Sequence, residues 1–142
     1  MSVAPPRWAR LVLTVQAALL VLAGAVGLAL GAARGGGEVP VLFLRPNPLH
    51  SALLLVTGVL GLVAAQRLRP LMWFCAVQFA VYLVLFYANA GQSGAGEDRD
   101  SALLLDGPEN LVHVALVVIA FSVGLGTAAL TRPARSRAAR SR

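Results

Sequence analysis

Asn47-Pro48-Leu49-His50-Ser51-Ala52-Leu53-Leu54 opens one apolar run, and Asn110-Leu111-Val112-His113-Val114-Ala115-Leu116 opens another. In both, an Asn stands three residues before a His, and these are the only two histidines in the chain. Aliphatic residues follow in each case, and the runs close on Gly61-Leu62 and Gly124-Leu125. Val15-Gln16 and Val77-Gln78 stand at nearly the same offset from each other as the two Asn-x-x-His units. The chain therefore reads as two related halves, each a helical hairpin. Outside these stretches the repeat is weak.

Working outward, four apolar runs approach the roughly 20 residues that cross a bilayer. They cover residues 11–33, 49–65, 71–89 and 111–130. Backbone polar groups inside a membrane must be satisfied within the segment, so each run is expected to be a helix. The expected fold is all-α, a four-transmembrane-helix bundle of two hairpins in a weak parallel repeat. Residues 1–130 form its single domain. Residues 131–142 are a basic tail, expected to be disordered and to meet anionic lipid. The first run follows Arg7 and Arg10 as a signal peptide would, but it exceeds the usual length of a signal core and is read as retained.

Composition agrees. Of 142 residues, 58% are hydrophobic and 13% charged, about half the charged share of a soluble domain. The net charge of +6 sets twelve basic residues, all arginine, against six acidic ones. Those arginines cluster at run ends and in the tail without interleaved aromatics, which argues for membrane orientation and against nucleic acid. Arg7, Arg10, Arg67, Arg69 and the five tail arginines fall on one side, against Arg34, Arg45 and Arg99 on the other. Both termini are thus expected in the cytoplasm of a multi-pass cell-membrane protein.

Asn47 suits a helix N-cap and Pro48 the first helical position, and Asp106 serves the fourth helix similarly. Gln16 and Gln78 read as polar glue between helices. Gly24, Gly27 and Gly31 on the first helix, with Gly58 and Gly61 on the second, read as close-packing stripes, within the bundle or between copies. His50 and His113, at similar depth near the outer interface, are candidate ligands for one metal ion or a b-type haem. The alternative is that each bonds a neighbouring helix or loop. The acidic connection between residues 90 and 109 lacks calcium-loop spacing and reads as solvated. Cys75 reads as a buried small apolar side chain. Enzyme signatures are absent, and no acid lies mid-span.

Asn47-Pro48-Leu49-His50 with Gly58 to Leu62, and the second Asn-x-x-His at Asn110 and His113, resembles an actinobacterial family of four-helix membrane proteins of unknown function. The likeness covers residues 10 to 130. The family pattern reads Asn-Pro-Leu-His-Asn-x-x-His-x-x-x-Gly. Here Ser51 stands for its second Asn and Leu54 for its second His, so one ligand of any histidine pair there is missing. The resemblance implies fold and topology and supplies no activity.

These observations lead to a non-catalytic scaffold or accessory subunit, packing through Gly-lined faces against itself or a membrane partner, with no cofactor expected. A metal- or haem-binding redox or sensory protein built on the histidines is the alternative. A small oligomeric channel or carrier is a third reading.

Overall fold

The computed structural model describes residues 4–33, 48–90 and 107–140, with backbone alone at 89–90, 107–109 and 132–140. These form four helices and no strand, and 94% of the described residues are helical. The helices are α1 (Arg7–Ala33), α2 (Pro48–Ala64), α3 (Leu68–Ala90) and α4 (Gly107–Arg140). Three are long and apolar enough to cross a membrane: Arg7–Ala33, Leu68–Ala88 and Asn110–Thr131. α2 has 17 residues, about 26 Å at 1.5 Å per residue, the short limit for a span.

α1 packs most extensively on α2 and α3 on α4, with slighter contact of α2 with α3 and of α1 with α4. Each pair runs antiparallel. Along α1 and α2, Gly24 abuts Ser51 and Leu55 while Gly58 abuts Ala17 and Val21. The three-residue turn Ala65–Arg67 joins the hairpins and is closed by backbone bonds from Gln66 to Val63 and from Arg67 to Ala64. Pro70 follows inside the first turn of α3, where a missing N–H costs nothing.

Two layers of core run along the bundle. At the end nearest the turn, Ala9, Leu13, Ala65, Leu71, Cys75 and Val123 pack together. At the other end Leu20, Leu54, Tyr82 and Leu116 do so. The outer surface is apolar as well: Leu11, Leu19, Val63, Trp73, Val84, Leu111 and Leu125 are all exposed. A helix that is hydrophobic all round belongs in an apolar surround.

The last helix departs from expectation. Instead of ending at residue 130 before a disordered tail, it continues to Arg140. The tail is rich in Ala and Arg, two of the strongest helix formers, and the helix runs on through Pro133 although that residue has no N–H for its ladder bond. Thr131 Oγ1 donates to the carbonyls of Thr127 and Ala128, both at 3.1 Å. The expected caps Asn47 and Asp106, and connections 34–47 and 91–106, lie outside the described residues.

Candidate functional site

Most buried side chains of α3 have a buried counterpart on α1. Leu71, Cys75, Gln78 and Tyr82 stand 62 residues after Ala9, Leu13, Gln16 and Leu20, and all eight are buried. The repeat is therefore a packing pattern as well as a pair of motifs. Two of its equivalent pairs meet across the interior. Gln16 Nε2 donates to Gln78 Oε1 at 2.9 Å, joining α1 to α3. Gln78 Nε2 donates onward to the Leu116 carbonyl of α4 at 3.1 Å. One amide thus ties three helices.

The histidines form the second meeting. His50 and His113 lie with ring centroids 5.6 Å apart and planes at 51°. The expectation placed them at the membrane interface, where a polar ring is cheap. The structure instead seals both inside the bundle, 1% and 0% exposed. Position near a helix end fixed their depth, but the face each occupies, which the sequence position does not give, turned them inward.

Tyr82 completes the cluster. Its ring centroid is 5.4 Å from that of His113, and its hydroxyl donates to Thr57 Oγ1 at 3.1 Å. Sequence reasoning passed over Tyr82 and Thr57. The available signal was a tyrosine well inside a span, one turn beyond Gln78. Leu54, at the place of the family pattern's second histidine, is 1% exposed and fills core beside Tyr82 and Leu116. Among the described residues no group of three or more His, Cys, Asp or Glu side chains gathers as a metal centre. The His50–His113 pair fits a haem poorly, because a macrocycle needs a flat slot between its axial rings and these rings close on one another beside Tyr82.

Several buried polar atoms here have no partner among the described residues: both ring nitrogens of His113, Ser51 Oγ and Asn110 Oδ1. Elsewhere the same holds for Gln16 Oε1 and Thr127 Oγ1. Cys75 is a free, buried thiol among the residues lining an apolar groove of about 380 Å³ between α3 and α4.

The glycines divide unequally. A Cβ on Gly24 would meet Leu55 N and Ser51 O at 2.6 Å, and one on Gly58 would meet Ala17 O and Val21 N at 2.7 Å. Gly61 lies against Ala17 Cβ and Phe74, and Gly27 and Gly31 are buried on the same side of α1. All five face into the bundle.

Fold and interior together define a small apolar four-helix bundle with a polar seam linking its two hairpins. The chain belongs to the family described as a domain of unknown function (DUF4383), whose model matches residues 10–126. Neither the curated proteins nor the solved structures contain a match to it.

Proposed function

We propose that this chain is an integral membrane protein with all four helices inserted, both termini in the cytoplasm, and a non-catalytic role as a scaffold or accessory subunit. The observation that carries the reading is how the polar interior is used. Gln16, Gln78 and the Leu116 carbonyl bond one another, as Tyr82 and Thr57 do, so mid-bundle polarity joins helices instead of lining a path. The outward apolar surface supports insertion. The arginine asymmetry supports the orientation.

One part of the scaffold reading changes. The Gly-lined faces pack α1 on α2 and are not open to a partner. A second copy or another membrane protein would meet the larger exposed side chains instead, among them Trp73, Val84 and Leu125. The test is native electrophoresis of gently solubilised membranes from the source organism. The protein should migrate in one discrete assembly well above the 14.8 kDa of the chain. Migration as a lone chain, with solute flux in proteoliposomes, overturns the reading in favour of a carrier.

A further inference from the structure

We propose that His50 and His113 bind a single monovalent copper ion between α2 and α4. This goes beyond the scaffold reading and stands or falls separately from it. The first support is geometric. Two imidazoles on one ion, with metal–nitrogen bonds of about 2.0 Å, place their ring centroids roughly 5–6 Å apart when the two nitrogens are bent at the ion, and somewhat over about 6 Å when they are linear. The observed separation is 5.6 Å.

The second support is the state of His113. A neutral imidazole carries one donor and one acceptor. Leaving a buried polar atom unsatisfied costs about 1–3 kcal/mol. His113 is fully buried and neither of its nitrogens has a partner among the described residues. Ring packing on Tyr82 and His50 accounts for its position and leaves both nitrogens unexplained. A ligand drawn to nitrogen lone pairs resolves this.

The choice of metal follows from charge. Of the described side chains at this end, Tyr82, Thr57, Ser51, Asn110, Leu54 and Leu116, none is anionic. Burying a dication with only neutral ligands is costly, because the desolvation penalty rises steeply with charge. Imidazole suits copper, and the cuprous ion carries one charge.

The test uses the full-length protein in detergent, anaerobically, titrated with cuprous ion against a chromophoric cuprous chelator. Wild type should retain equimolar copper. His50→Ala and His113→Ala should each weaken binding about 100-fold or more, beyond the loss typical of changes behind a ligand. Each variant must elute and show helical circular dichroism like wild type. Cys75→Ala should bind as wild type does. X-ray absorption of the wild-type complex provides a reading independent of variant folding: two nitrogen neighbours at about 2.0 Å and no sulfur at about 2.3 Å. Wild type that yields its copper to the chelator overturns the proposal. So does binding that survives the double histidine change, binding that follows Cys75, or a sulfur shell.

Discussion

Between α1 and α2 the backbones touch, whereas between α3 and α4 side chains hold them apart. Gly24 and Gly58 leave no room for even a methyl group at the first crossing. In the second hairpin Phe121 stands 63 residues after Gly58, half out of the interface, and a groove of about 380 Å³ opens beside it. Gly124, the counterpart of Gly61, would place a Cβ 3.4 Å from Cys75 Cβ, an ordinary contact. One layout of buried positions thus accommodates both a tight, glycine-mediated crossing and a looser one filled by aromatic rings. The difference teaches that the repeat constrains which faces turn inward more strongly than how closely helices approach.

The sharpest way to break the comparison is to add one methyl to the tight crossing. Gly24→Ala and Gly58→Ala both drive a Cβ into backbone, which cannot rotate away. Each should cost about 3 kcal/mol, at the upper end for overpacking, read as a lowered midpoint in denaturant titration of the micellar protein. A stability within error of wild type would show that α1 and α2 do not cross this closely.

Next in size is the link between the hairpins. Gln78→Leu removes the bonds to Gln16 and to the Leu116 carbonyl and strands the Gln16 amide. Interhelical polar bonds in membranes average about 0.6 kcal/mol, so losing two should cost about 1–2 kcal/mol. Gln16→Leu removes one bond and should cost less. The same titration separates the two variants, and equal losses would mean the Leu116 bond contributes nothing.

The smallest effect sharpens the contrast from the loose side. Gly124→Ala should change stability by no more than about 0.5 kcal/mol, the range of a substitution that finds room. A large loss there would make the two crossings equivalent.

The four helices were legible because long apolar runs bounded by polar connections mark them directly. α1 to α3 begin and end within a few residues of the positions the sequence suggests. The end of α4 was not legible, since Ala and Arg support a helix that composition alone assigns to a solvated tail. Gln16 and Gln78 could be read as glue, yet nothing in one sequence said that they bond each other. The histidines are the clearest case of partial legibility. Their kinship was visible as a motif, but their meeting depends on the rotation of α2 and α4 about their axes, which only packing decides.

That two equivalent pairs meet inside the bundle has a consequence for concentration. A lone α1–α2 hairpin would have to find its copy by diffusion to pair its glutamine and histidine. The turn Ala65–Arg67 makes the encounter intramolecular. A short tether sets an effective concentration in the millimolar range. The interior pairs therefore form in each molecule however sparsely it is expressed. Covalent fusion also frees the halves from being identical: Gln16 donates while Gln78 both accepts and donates, a direction that two interchangeable partners would have to settle anew at each encounter.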